Sequence, residues 1–212
     1  MKAGRRNRPS LIVGLTVVLV AVVLLAWGKV ADAAVGLAVT DPHDGFAFAL
    51  PSNWKIVPLD GGDITSLLNA ATHDDPALTN ALSGEVTAAA SKKMKLFAIG
   101  PVDGLAVPNV NVIVTPSGGA PTGFAFSSAA VAEAKIELTE SSASHIRTRV
   151  LKNRLGSTAE ATYQLDLPNA STQYGEQFYA IHKTRIYIVT VTTPNGLSTE
   201  LVGHSITASW SW

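Results

Sequence analysis

The sequence predicts an α+β fold: a largely antiparallel β-sheet flanked by helices on both faces. Three observations predict it. Several segments alternate large and small side chains with the period of two that a strand requires. Other stretches repeat apolar residues every three or four positions, as an amphipathic helix does. Turn sequences separate most of the alternating segments, and the helical stretches fall at three points, enough to cover both faces of a sheet in an α/β/α sandwich.

Residues 45–50 place Phe46, Phe48 and Leu50 on one face. Pro51, Ser52 and Asn53 then turn the chain, and residues 54–57 resume extension with Trp54 and Ile56 on one side, which predicts an antiparallel hairpin between the two stretches. Residues 35–40 supply a further strand or a lead-in. Asp63 is placed to cap a helix carrying Ile64, Leu67, Leu68 and Ala71, and Asp75-Pro76 opens a second one through Leu78, Leu82, Val86 and Ala89.

Residues 95–99 and 110–114 are strand-like, and a long connection with Gly100 and Gly104 joins them. Residues 115–123 hold three glycines and two prolines and read as a loop. Ser127 or Ser128 then caps a helix to about Thr139, with Val131, Ala134 and Leu138 on its buried stripe. Strand signals cover residues 145–151, 157–167 and 177–193. The last is too long for one ordinary strand, so a bend or hairpin is expected near residues 182–185. Read as one run, it sets Tyr179, Tyr187 and Val189 on one side and Ile186 and Ile188 on the other. A final helix from Leu197 to about Ala208 packs through Leu197, Leu201, Val202 and Ser205, with Trp210 docked on the sheet.

The first 33 residues stand apart from this domain, which leaves residues 34–212 as a single globular unit. Lys2, Arg5, Arg6 and Arg8 precede an apolar run over residues 11–27. At 1.5 Å per residue that run spans about 26 Å, slightly less than the ~30 Å hydrocarbon core of a bilayer. Ala31 and Ala33 provide the small residues of a cleavage site after Ala33. A cleaved signal peptide and a retained membrane anchor both place the domain outside the cytoplasm, because the basic flank stays inside. Arg5-Arg6 is read as part of an ordinary positive flank.

The chain has 16 basic and 16 acidic residues, but the leader takes five of the basic ones and only Asp32 of the acidic ones. The domain is therefore mildly acidic, and its basic residues are scattered, which argues against a nucleic-acid partner. Without cysteine there is no disulfide, thiol catalysis, cysteine-ligated metal or lipidated N-terminal cysteine.

Three segments together carry a family resemblance: a strand followed by Pro51-x-x-Trp54, a long tyrosine-rich stretch ending at Pro194, and a short helix closing on Ile206-Thr207-Ala208-Ser209-Trp210. The pattern resembles the Mog1/PsbP-like superfamily, including actinobacterial secreted LpqN-type proteins. The resemblance implies an antiparallel sheet sandwiched by helices, and a binding or accessory role. It offers no catalytic residues to carry over, and the lipidated cysteine of several mycobacterial members is missing here.

Catalytic motifs are sparse. His43 lies in the turn-forming Asp41-Pro42-His43-Asp44-Gly45, and His73 precedes Asp74 and Asp75 at a helix boundary; both clusters are read as solvated turns or caps. His145, His182 and His204 are isolated, and no His-Glu-x-x-His is present. Gly-x-Ser-x-Gly is missing. Ser52-x-x-Lys55 has the spacing that lets a lysine activate a serine on a helix, but it falls in a turn entering a strand. Gly118, Gly119 and Gly123 lack the Gly-Lys-Ser/Thr of a phosphate loop, and the sequon Asn169-Ala170-Ser171 matters only in a eukaryotic secretory host.

No catalytic, cofactor or metal site is therefore assigned. The candidate binding surface is Leu105, Val107, Phe124 and Phe126, apolar residues in or beside the two long connections. The expected function is an exported, non-catalytic binding or accessory domain. Its partner would be an envelope protein or an apolar small molecule, with residues 11–27 in the membrane if uncleaved. The alternative is a secreted hydrolase with a His/carboxylate/Ser site assembled in space.

Overall fold

The computed structural model describes residues 36–59, 94–101, 107–153, 155–166 and 172–212. The leader, the two helices expected within residues 63–91, and Leu105 lie outside the described residues. Among those described, no helix is long and apolar enough to cross a membrane.

Strand β1 (Leu37–Asp41) pairs antiparallel with β2 (Phe46–Leu50) as a separate two-stranded sheet. This corrects the expected hairpin: β2 does not pair with β3 (Lys55–Val57), which instead lies at the edge of the main sheet against β4 (Met94–Ile99). The reason is the turn at residues 41–45. Asp41 accepts from Asp44 N through Oδ1 at 2.9 Å and from Gly45 N through its carbonyl at 2.7 Å. Gly45 adopts φ +73°, which glycine accepts without steric cost. That tight reversal directs β2 back onto β1.

The main sheet has seven strands in the order β3-β4-β5-β9-β8-β7-β6, and every neighbouring pair is antiparallel. Its remaining strands are β5 (Asn109–Pro116), β6 (Ser144–Asn153), β7 (Gly156–Leu165), β8 (Gln173–His182) and β9 (Arg185–Thr193). The reversal expected near residues 182–185 is present, with Lys183 at φ +52°. Because two residues make this turn, cross-strand partners have opposite parity: Phe178 faces Val189 and Tyr179 faces Ile188. The single-run expectation that joined Tyr179 to Tyr187 and Val189 is thereby overturned.

The two parities feed two cores. One gathers Phe46, Phe48, Trp54, Phe178, Tyr187, Val189 and Val191 under helix α2 (Gly196–Ser209). The other gathers Tyr163, Tyr179, Ile186 and Ile188 under helix α1 (Gly123–Glu140). Helix α1 begins a turn earlier than expected. Ser127 is buried inside it, its hydroxyl donating to the Gly123 carbonyl at 3.2 Å, while Thr122 is the N-cap. Ala130 and Ala134 on the helix and Ala159 and Ala161 on β7 belong to the same core cluster, and their small size permits close approach.

Helix α2 is capped by Asn195, whose side chain accepts from Ser198 N at 2.7 Å. It buries Thr199, Val202, Gly203 and Ile206, whereas Leu197 and Leu201 are exposed. The expected contact face was therefore rotated, because the helix must present its small Gly203 to the sheet. Trp210 is docked as expected, 3% exposed and stacked on Phe48 at 5.0 Å and Phe46 at 5.4 Å. Ser211 and Ala47 exchange two backbone hydrogen bonds, at 2.8 and 2.9 Å, which fasten the C-terminus to the hairpin.

Candidate functional site

Among the described residues, the apolar surface expected from the loops does not form one exposed patch. Val107 and Phe126 are buried, Phe126 in the core beneath α1, and Phe124 is exposed on that helix.

The histidines hold structural or surface positions. His43 is exposed in the β1–β2 turn, and its carbonyl accepts from Arg185 Nη1 at 3.0 Å. The neighbouring Asp44 carboxylate is buried and ion-paired with Arg185, and with Lys95 Nζ at 3.0 Å. Those two cations bind the hairpin to the main sheet. His182 stacks on Trp212 at 4.4 Å. His73 lies outside the described residues.

One serine–histidine–carboxylate chain does form. Ser144 Oγ lies 3.1 Å from His145 Nδ1 and donates to Asp166 Oδ2 at 3.4 Å. In a nucleophilic triad the histidine stands between serine and carboxylate, so that the carboxylate orients the base. Here the serine stands in the middle, on the exposed start of β6. Ser52 lies in a turn and Lys55 opens β3, without the helical geometry that would couple them.

A different part of the fold carries the polar chemistry. Helix α2 packs against β8 and β9. Between it and β6 the sheet face opens into a cleft of about 290 Å³. The pairings Arg149↔Glu160 and Thr162↔Glu176 place these side chains on the floor and far wall. Gly196, Thr199 and Glu200 of α2 line the near wall.

Two of the floor residues are buried carboxylates, Glu160 at 3% exposure and Glu176 at 5%. Glu160 is satisfied: Arg149 donates to its Oε1 from Nε at 2.8 Å and from Nη2 at 2.7 Å. That contact also raises the Arg149 pKa, so the guanidinium stays charged. Glu176 has no such partner. Its Oε2 is sealed from solvent without a hydrogen bond, beneath Gly203, where an added Cβ would lie 2.0 Å away. Burial pushes the Glu176 carboxyl up to about 8, the charge of Glu160 adds to the rise, and Arg149 partly opposes it. Beside it, Gly175 leaves room for the Tyr163 ring, whose Cζ would lie 2.1 Å from a Cβ there.

Sequence reasoning missed this site. The available signal was a carboxylate in the middle of a strand between small or apolar neighbours, as in Ala159-Glu160-Ala161. Buried glutamate is rare without a partner. The residues come from β6, β7, β8 and α2, and only the sheet order brings them together. Among the described residues, no group of three or more histidine or acidic side chains is close enough to hold a metal ion.

Comparison with known proteins agrees with the architecture. No protein-family model and no curated protein matches the sequence. Among solved structures, cyanobacterial PsbP (CyanoP) from Synechocystis sp. PCC 6803 matches with a TM-score of 0.54 and 12% identity, over 89% of this chain and 98% of that one. LpqN of Mycobacterium tuberculosis, involved in cell envelope biogenesis, matches at 0.43 and 8% identity over 82% and 88%. A Bacteroides thetaiotaomicron protein matches at 0.45 and 11% identity over 83% and 48%. In fold, the chain is similar to PsbP: a largely antiparallel sheet with helices packed against it.

Proposed function

We propose that this chain is an exported, non-catalytic accessory domain that acts in the cell envelope or outside the cell and engages a protein partner through the cleft between β6 and α2. The observation that carries the binding role is the open cleft of about 290 Å³, whose lining brings Arg147, Arg149, Glu160, Glu176 and Glu200 together. The charged lining suits a polar group of a partner better than an apolar molecule.

The export component rests on the basic flank and the apolar run at residues 11–27, whether the leader is cleaved after Ala33 or retained as an anchor. In this reading residues 34–212 form one domain, and its finer architecture is the three-layered α/β/α sandwich. Similarity to PsbP supports the fold beneath this reading.

Two experiments test it. A periplasmic-type reporter fused after Trp212 should be active only outside the cytoplasm; activity confined to the inside removes the export component. A photo-crosslinker replacing Thr162 in the full-length chain should capture a discrete envelope protein. Only background adducts there would remove the binding role.

A further inference from the structure

Resting on the reading of the β6–α2 cleft as a binding site, we propose that β6 takes up an extended acidic segment of a partner protein as an added strand of the main sheet, its carboxylates seated on Arg147 and Arg149. Strand β6 is the outer edge of that sheet: it pairs with β7, and no strand covers its other side among the described residues. It is ten residues long and none of them is buried, whereas most of β7 and β8 is. After the irregularity between Ser144 and Arg147, the pairing with β7 runs unbroken to Asn153. Alternate residues of such an edge direct their N–H and C=O groups outward, where an antiparallel strand can pair with them. The opposite edge, β3, has only three residues to offer.

Charge selects the occupant. Strand β6 carries Arg147, Arg149 and Lys152 and no acidic residue. Arg147 and Arg149 are two positions apart and both line the cleft, roughly 7 Å from each other along the strand. Arg147 is exposed and has no ion pair among the described residues. Arg149 makes two contacts to Glu160 Oε1, yet it is 67% exposed and keeps N–H donors to spare. Because Glu160 fixes its guanidinium, a second carboxylate meets a preorganised fork. The acidic residues of the cleft do not cancel this: Glu160 is already paired, burial keeps Glu176 protonated at neutral pH, and Glu200 stands on the α2 wall. A strand that is acidic at every second position sets those residues against the two arginines. Its intervening side chains then fall beside Ile146, Thr148 and Val150, half-buried residues of the opposite parity, of which Ile146 packs against the core under α1.

A second copy of this chain is the wrong occupant. Pairing two β6 edges would bring Arg147, Arg149 and Lys152 of one copy against the same cations of the other. The arginines do not simply close the edge either. Arg149 is drawn inward over β7 by Glu160, so its charge sits above the sheet face rather than across the free backbone.

The test uses the ¹⁵N-labelled full-length chain in detergent micelles and two probe peptides, acetyl-TEVEVEV-amide and its lysine counterpart acetyl-TKVKVKV-amide. The acidic peptide should slow hydrogen exchange at alternate amides of residues 147–153 at least about tenfold and leave the amides of β8 and β9 as they were. The lysine peptide should bind at least about tenfold more weakly. Arg147→Glu, at an exposed position, should reverse that preference, and the wild-type comparison of the two peptides decides the matter even if the variant folds poorly. The proposal is overturned if the acidic peptide at millimolar concentration protects no β6 amide, or if the lysine peptide protects them equally. Protection that grows with chain concentration without any peptide would give the edge to a second copy and overturn it as well. Should the Thr162 crosslinker still capture a partner when the peptide fails, strand addition alone falls; if capture fails too, the cleft's binding role falls with it.

Discussion

Replacing Glu176 by glutamine should make the protein more stable, not less, and only above mildly acidic pH. The folded state holds this carboxyl protonated up to about 8, against 4.5 when unfolded. Between those values the native state binds one proton more than the unfolded state, so stability falls as pH rises through the window and is flat above it. The gap corresponds to roughly 5 kcal/mol as an upper bound, at about 1.4 kcal/mol per pH unit. Water reaching the open side of the cleft reduces this to about 2–4 kcal/mol in practice. Glutamine mimics the protonated acid in shape and carries no charge. Its variant should therefore match wild type near pH 4 and exceed it by about 2–3 kcal/mol at pH 8, after allowance for burying an amide. Urea unfolding of the full-length proteins, followed by tryptophan fluorescence between pH 4 and 9, reads this directly. A variant with the wild-type pH slope, or one less stable at pH 8, would refute the idea that Glu176 is held neutral by its surroundings.

Other residues give further predictions. Trp210→Ala removes the ring that stacks on Phe46 and Phe48 and should cost about 3–5 kcal/mol, with loss of near-ultraviolet circular dichroism as the β1–β2 hairpin loosens. Arg149→Ala leaves the buried Glu160 without its ion pair and should cost about 1–3 kcal/mol at pH 7, discounted for the exposure of the arginine. Adding Glu160→Gln to that variant should recover most of the loss in a double-mutant cycle. Gly175→Ala drives a methyl into the Tyr163 ring and should lower the urea midpoint by an amount equivalent to about 1–3 kcal/mol.

The strands over residues 94–99, 109–116 and 173–193 were legible because each must bury one or both faces, and burial writes itself into alternation. The reversal at Lys183 was legible because a strand of that length is rare, and the docking of Trp210 because a large ring near the end of a helix needs cover. The cleft was not legible. Glu160 and Glu176 are 16 positions apart in the chain, and neither has a motif around it.

From the sequence alone come the period of each element, the apolar run at residues 11–27 and the lack of cysteine chemistry, since these depend on a residue and its near neighbours. Tertiary structure alone decided that β2 pairs with β1, that α2 turns Gly203 rather than Leu201 inward, and that one carboxylate acquires an arginine while the other does not. The physical reason is common to all three. Pairing, helix rotation and ion-pair choice are settled by competition between distant surfaces for the same space, and local periodicity contains no record of which surface wins.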